Sequence, residues 1–301
     1  MTPAQLNAQF GIAGQLVFEE GQGGLTFARI DNAQGEAVLC LQGAHLVSWR
    51  PKDQAEPVVW VSDLAKYAPG KSIRGGAPVC WPWFGAHKTE SGFPGHGYAR
   101  TVPWAVTGSA VLADGATEIT LTLIENDQAR AQWPHNTRVE LRAVVGAKLT
   151  LSLTTTNQGD APVEIGEALH TYLRIGDIGE IAITGLEGCT YLDKVDGGQR
   201  KTQAGAVTCT GEVDRVYVNT TAACVIEDAR LKRNVLIEKT GSAATVVWTP
   251  WTEKADKMGD FGPDGWRRMV CVESANAADN VVTVAPGQSH TLTAVYSAQT
   301  L

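Results

Sequence analysis

The stretch that decides the fold is TRVELRAVVGAKLTLSLTTT, residues 137–156. Apolar and polar side chains alternate over residues 137–145 and again over residues 148–156. A period of two places successive side chains on opposite faces of a β-strand. This stretch therefore predicts two strands, each with one buried face and one solvated face.

The same pattern extends outward in both directions along the chain. Helical patterns are short and weak, at residues 125–133 and 253–258, and Gly, Asp, Asn and Pro clusters separate the strands. Closely spaced strands without long helices indicate a sandwich or barrel, not a parallel sheet. No linker composition divides the chain, so we predict one all-β domain, residues 1–301. The further predicted strands are residues 117–124, 180–184, 234–239, 245–249, 268–274, 281–285 and 291–297.

Composition narrows the class of partner. The chain is 44% hydrophobic and carries a formal net charge of −7. The first figure allows a sizeable core, and the second argues against a partner bound through a polyanionic backbone, such as nucleic acid. The N-terminus lacks a basic and then apolar leader, and no apolar run reaches the roughly 18 residues of a membrane span. We expect a cytoplasmic protein that binds neither membrane nor nucleic acid.

Metal and cofactor motifs are missing. The six cysteines occur singly, which is typical of buried free thiols in a reducing compartment. The six histidines show no H-x-H or H-E-x-x-H spacing, and no dinucleotide, phosphate-loop or nucleophile-elbow motif occurs. The sequence therefore predicts no metal and no cofactor.

Two long segments, residues 71–100 and 248–266, break the strand pattern with Gly, Pro, aromatic and charged residues. Long irregular segments in compact domains are usually functional loops. Arg74 and Arg100 bracket a cluster of rings in the first segment. Guanidinium groups bind phosphate in a bidentate manner, and aromatic faces stack on sugars. An exposed arginine also suits an ordinary surface, so the residues alone leave both interpretations open.

Two apolar strands carry one candidate catalytic side chain each. The segment EALHTYLRI, residues 167–175, read as one continuous strand, puts His170 and Tyr172 on one face and Leu169, Thr171 and Leu173 on the other. A histidine titrates near neutral pH and suits proton transfer, although a structural histidine fits the same pattern. Residues 269–276, MVCVESAN, similarly place Glu273 either at a solvated edge or in a site where burial raises its pKa.

Six sequence blocks occur in a fixed order along the chain. Through these blocks the chain resembles the glucose-6-phosphate 1-epimerases, or hexose-6-phosphate mutarotases, of the aldose 1-epimerase and galactose mutarotase-like superfamily. The resemblance covers nearly the whole chain. The blocks are IRGG at 73–76 with WPWFG at 81–85, HGYAR at 96–100, ALHTYL at 168–173, DRVY at 214–217, WTPW at 248–251 and CVESAN at 271–276.

The resemblance implies a large antiparallel two-sheet β-supersandwich with few short helices and a site in a cleft on one sheet. It implies interconversion of the α and β anomers of a hexose 6-phosphate without a cofactor. Glu273 would be the general base on the C1 hydroxyl and His170 the general acid on the ring oxygen. These roles need a protonated His170 and an ionised Glu273, and we expect their proximity to favour both charged forms.

The resemblance also places substrate-binding positions on Arg74, Arg100 and Asp214, with His96 lining the pocket. One departure concerns Gly95, because the family often has a polar residue, commonly Gln, before this His-Gly pair. A contact to the sugar is then missing or replaced, which leaves the preferred hexose open.

Three alternatives stay open. The enzyme could act on unphosphorylated aldoses, or the chain could be a non-catalytic sugar-binding sensor, since one fold hosts many functions. A glycosidase would need two carboxylates about 5 to 9.5 Å apart. The expected partner is a small sugar phosphate, and the sequence leaves the oligomeric state open, with a monomer compatible.

Overall fold

The computed structural model describes residues 1–301. Three short α-helices occur: α1 (Pro3–Phe10), α2 (Asp127–Gln132) and α3 (Trp251–Met258). None of the helices is both long enough and apolar enough to cross a membrane. The twenty-two strands are β1 (Leu16–Glu20), β2 (Thr26–Asp31), β3 (Gly35–Cys40), β4 (His45–Pro51), β5 (Val79–Cys80), β6 (Trp104–Val111), β7 (Thr117–Leu123), β8 (Thr137–Val145), β9 (Leu149–Asn157), β10 (Val163–Ile165), β11 (Glu167–Leu169), β12 (Tyr172–Arg174), β13 (Ile181–Thr184), β14 (Thr190–Asp193), β15 (Gln199–Thr202), β16 (Val213–Tyr217), β17 (Cys224–Asp228), β18 (Arg233–Thr240), β19 (Ala244–Thr249), β20 (Met269–Asn276), β21 (Val282–Val284) and β22 (Ser289–Thr300).

Two eight-stranded antiparallel sheets form the body of the molecule. The site sheet has the order β15-β14-β16-β19-β20-β11-β5, with β12 also paired to β20. The backing sheet has the order β13-β17-β18-β22-β9-β8-β7-β6. Alternate side chains from both sheets fill the space between them and form one continuous core. Representative core residues are Leu141, Leu153 and Leu292 from the backing sheet and Leu169, Val247 and Val272 from the site sheet.

These sheets confirm the predicted all-β antiparallel sandwich. The predicted strand at residues 137–145 matches β8, and the others agree with observed strands within three residues at each end. The predicted helices correspond to α2 and α3. The strand pattern missed the N-terminal four-stranded sheet β1-β2-β3-β4, the small β10-β21 pair and several strands of both large sheets.

One strand prediction is wrong in an informative way, because residues 167–175 do not form one continuous strand. The stretch breaks at His170 and Thr171 into β11 and β12. The N–H of His170 donates to the carbonyl of Pro78 at 3.0 Å, and the N–H of Thr171 donates to the carbonyl of Leu169 at 2.8 Å. The His170 bond continues the register of β11 with β5, in which Leu169 lies opposite Val79, whereas the Thr171 N–H turns back to its own strand and leaves the ladder with β20. The two faces of the segment are as predicted.

The register with β20 is the same on both sides of the break. Leu169 lies opposite Ser274 and Tyr172 opposite Cys271, so β11 and β12 pair with β20 in one frame. His170 therefore lies across from Glu273 on the face of the site sheet that points away from the core.

Candidate active site

A cavity of about 480 Å³ lies over the site sheet. This volume is within the usual range for small-molecule sites, about 300–1,000 Å³. All six side chains predicted from the sequence line it, so the structure brings together residues that are up to 199 positions apart. They are Arg74, His96, Arg100, His170, Asp214 and Glu273.

The two predicted catalytic side chains form a buried pair. Nδ1 of His170 lies 3.5 Å from Oε1 of Glu273, and the residues are 8% and 1% exposed. Nδ1 of His170 and Oε2 of Glu273 have no hydrogen-bond partner in the protein. Buried polar atoms are nearly always paired. Each side chain of the pair therefore has one buried polar atom that the protein leaves without a hydrogen bond.

Burial governs the charge of the pair. It lowers the pKa of His170 well below 6.5, and the nearby His96 and Arg100 lower it further. It raises the pKa of Glu273 well above 4.5, and the Asp214 carboxylate adds to the rise. The expectation that proximity favours both charged forms is therefore wrong, because desolvation of each ion dominates.

The neutral pair is a neutral imidazole beside a protonated carboxyl. It contains the same number of protons as the ion pair of imidazolium and carboxylate. The two forms differ only by transfer of one proton between the side chains. The pair therefore holds one exchangeable proton in either form.

Aromatic neighbours orient the His170 ring. Tyr172 stacks on it with ring centroids 5.0 Å apart and planes 11° apart, while Trp248 presents an edge at 5.9 Å. On the cavity side, the His96 ring lies edge-to-face at 5.7 Å. Nδ1 of His96 accepts the N–H of Gly85 at 3.2 Å, and burial lowers the His96 pKa to about 3. His96 is therefore a neutral side chain, held in place by the backbone at one ring nitrogen.

The two arginines differ in how firmly they are held. Nε of Arg74 donates to Asp260 at 3.0 Å, and Nη1 donates to the hydroxyl of Tyr172 at 2.9 Å. Nη2 of Arg100 donates to the carbonyl of Gly95 at 2.8 Å. The backbone oxygen of Gly95 thus holds an arginine of the cavity.

Asp214 lies in β16 on the same face of the sheet. Burial raises its pKa, and Lys254 acts in the opposite direction from 3.9 Å. Lys254 also pairs with Glu212 at 2.6 Å. The carboxylate of Asp214 is thus left without a close cationic partner and can accept hydrogen bonds from a ligand.

Sequence reasoning gave no binding role to several other aromatic and charged side chains that line the cavity, among them Tyr172, Trp248, Lys194 and Lys254. Tyr172, Trp248 and Lys254 lie in segments that the sequence analysis singled out, so their position carried a signal. Lys194 lies in the turn between β14 and β15, where nothing in the local sequence marks it. Only pairing of β14 with β16 brings that turn to the cavity.

One cluster resembles a metal ligand set. Ligand atoms of His170, Cys271 and Glu273 lie within 4.8 Å of one another. Cys271 does not line the cavity, and burial raises its thiol pKa well above 9.0. One of the three possible ligands thus lies outside the cavity. The absence of a metal stays a prediction.

Comparison with known proteins identifies the family. The sequence model of the family described as aldose 1-epimerase matches residues 27–297. A protein of Escherichia coli (strain K12), provisionally assigned as a glucose-6-phosphate 1-epimerase, is 36% identical over 251 residues, 83% of each chain. A Cenchrus ciliaris protein with the same provisional assignment is 34% identical and covers 84% of this chain and 78% of its own.

A solved structure shows the same fold. The crystal structure of a provisionally assigned mutarotase from Salmonella typhimurium superposes with a TM-score of 0.90 at 31% identity. The match covers 97% of this chain and 96% of that one. The chain therefore belongs to the aldose 1-epimerase family, whose members are isomerases.

Proposed function

We propose that this enzyme interconverts the α and β anomers of hexose 6-phosphates, with glucose 6-phosphate as the preferred candidate substrate. The observation that carries the proposal is the buried His170–Glu273 pair, which holds one proton and has an unpartnered polar atom on each side chain. Relatives provisionally assigned as glucose-6-phosphate 1-epimerases support the choice of substrate.

The reaction needs one base and one acid. In the ion-pair form, the carboxylate of Glu273 takes the proton of the C1 hydroxyl while the imidazolium of His170 protonates the ring oxygen. The C1–O5 bond breaks and the open aldehyde rotates about C1–C2. Closure on the other face reverses both transfers and restores the pair. Each positioned transfer contributes on the order of 10²–10⁴ in rate.

The cavity supplies positive charge for a phosphate. Arg74 and Arg100 are joined there by Lys194 and Lys254. This local cluster opposes the global net charge of −7. Arg74 is already held by two side chains, so little conformational freedom is lost when it binds an anion. We assign the phosphate to the arginine pair and sugar hydroxyls to Asp214 and His96.

Exchange NMR between the anomeric protons of a panel of phosphorylated and free aldoses tests the reaction and the substrate together. The proposal expects accelerated exchange with glucose 6-phosphate, and a higher kcat/KM than with glucose or galactose. Binding without acceleration would support the sensor alternative. A preference for a free aldose would support the alternative of an unphosphorylated substrate.

Removal of the arginines tests phosphate recognition. Arg74→Ala with Arg100→Ala should raise KM for glucose 6-phosphate at least about tenfold, because charge-assisted hydrogen bonds to phosphate are lost, and leave a free aldose nearly unaffected. Arg138→Ala with Arg142→Ala is the matched control, since both side chains pair with glutamates on the outer face of the backing sheet. Equal losses for both sugars would refute the assignment.

A further inference from the structure

A buried polar cluster lies on the core-facing side of β11 and β20, the strands next to the acid–base pair. Glu167 begins β11 and Asn276 ends β20, directly opposite each other. Nδ2 of Asn276 donates to Oε1 of Glu167 at 2.9 Å and to the carbonyl of Gly241 at 2.8 Å. Both side chains are almost fully buried and point towards the backing sheet, away from the cavity.

His290 completes this cluster from the backing sheet. It lies in β22, and its Nε2 is 3.0 Å from Oε1 of Glu167 and 3.0 Å from the carbonyl of Gly241. Because two acceptors, Oε1 of Glu167 and the carbonyl of Gly241, lie 3.0 Å from Nε2, this nitrogen carries the hydrogen, while the Asn276 amide donates to the same two acceptors. The Glu167 carboxylate raises the pKa of His290. The cluster of Glu167, Asn276 and His290, here called the cross-strand clamp, ties β11 and β20 to the other sheet.

The position of the clamp relates it to the chemistry. Glu167 and Asn276 pair in the same register as His170 and Glu273, three residues earlier in one strand and three later in the other. The backbone ladder with β20 is interrupted between Leu169 and Tyr172, where the Thr171 N–H turns back to the Leu169 carbonyl, so flanking pairs must hold the two strands together there. A slip of one residue would turn Glu273 into the core, and displacement by about 1 Å can cost a catalytic site on the order of a hundredfold.

We propose that Glu167, Asn276 and His290 are positioning residues, which fix the separation of His170 and Glu273 from the opposite face of the sheet. This inference rests on the proposed function. None of the three lines the cavity. They act on the reaction only through the two strands, so they should affect kcat and not substrate binding.

The variant His290→Phe keeps a ring and removes the donor. We expect kcat for anomer exchange of glucose 6-phosphate to fall about tenfold, with KM changed by less than about twofold. His290→Gln supplies an amide N–H to the same acceptors and should recover most of the lost kcat. Glu167→Met, which keeps the length of the side chain and removes the acceptor of both bonds, should show the same split between kcat and KM if His290→Phe does not fold.

Asn32→Ala is the control for general destabilisation. The buried Asn32 amide bonds Thr117 and the Val145 carbonyl, outside the site sheet. Its loss should lower Tm while kcat stays at the wild-type value. The positioning role is overturned if folded His290→Phe or Glu167→Met keeps wild-type kcat, if KM rises instead, or if Asn32→Ala loses kcat equally. Absence of exchange in the wild-type protein would overturn the proposed function and this inference with it. If the wild-type protein is active, the variants test the positioning role separately from the proposed function.

Discussion

Glu273 and His170 show how far a single residue can be understood before its surroundings are known. An apolar strand that contains a glutamate predicts a buried carboxylate or a solvated edge, and Glu273 is 1% exposed. The charge state was not predictable from sequence. It depends on burial and on Asp214, Arg100 and His96, which come from distant segments.

The pH profile of the reaction follows from these pKa directions. The pair keeps its single proton between the lowered pKa of His170 and the raised pKa of Glu273. We expect kcat to stay level through pH 6.5, the ordinary value for histidine. In acid, kcat should fall because His170 becomes protonated while Glu273 is still protonated, so the pair has no base. In alkali, kcat should fall because Glu273 loses its proton while His170 is neutral, so the pair has no acid.

The measurement is kcat for anomer exchange across pH by NMR, with the rate in buffer alone subtracted at each pH. A rate that falls as pH rises through 6.5 would contradict the shared-proton pair. That result would mean that His170 titrates with the ordinary pKa of a histidine and that only its protonated form is active.

At the scale of elements, the break between β11 and β12 is the feature that local sequence hides. Alternation continues undisturbed through residues 167–175, so the pattern predicts a single strand. The break coincides with contacts of Thr171 that the pattern does not show: its N–H donates to the carbonyl of Leu169, and its hydroxyl meets that of Tyr296 at 2.6 Å between the sheets. Helix α1 is the opposite case. Thr2, Pro3 and Gln5 form a capping box with proline at the first position, a signature readable from sequence that the strand analysis passed over.

Thr171→Val tests the hydrogen bond behind the break. The variant keeps the shape of the side chain and leaves the buried Tyr296 hydroxyl without its partner, so unfolding free energy should fall by about 1–3 kcal/mol. Chemical denaturation measures it. Thr154→Val is the control, because the Thr154–Thr291 pair lies on the exposed face of the backing sheet and its loss should cost little. Equal effects of the two substitutions would show that the buried hydroxyl pair does not stabilise the break.

The whole molecule was predictable in class but not in detail. Alternation in long strands such as β8 and β9 predicts an antiparallel sandwich, because their period is undisturbed. The missed strands β14 to β16 are short and contain charged residues, for example Arg200 and Lys201, so their pairing depends on neighbours in the site sheet. The cavity shows the same limit, since Lys194 reaches it only through that pairing.

We propose that residues 1–301 unfold as one domain, because one apolar core is continuous between the two large sheets. Calorimetry should show a single transition in which the calorimetric and van't Hoff enthalpies agree. Two separable transitions, or a proteolytic fragment that keeps its fold, would contradict this.

The proposed acid–base pair is tested most directly by exchange NMR on glucose 6-phosphate with wild-type protein, His170→Gln and Glu273→Gln. Each substitution removes one proton transfer while keeping a polar side chain of similar size. We predict that each variant loses on the order of 10²–10⁴ in kcat and still binds the substrate. Exchange at the wild-type rate in either folded variant would contradict the account.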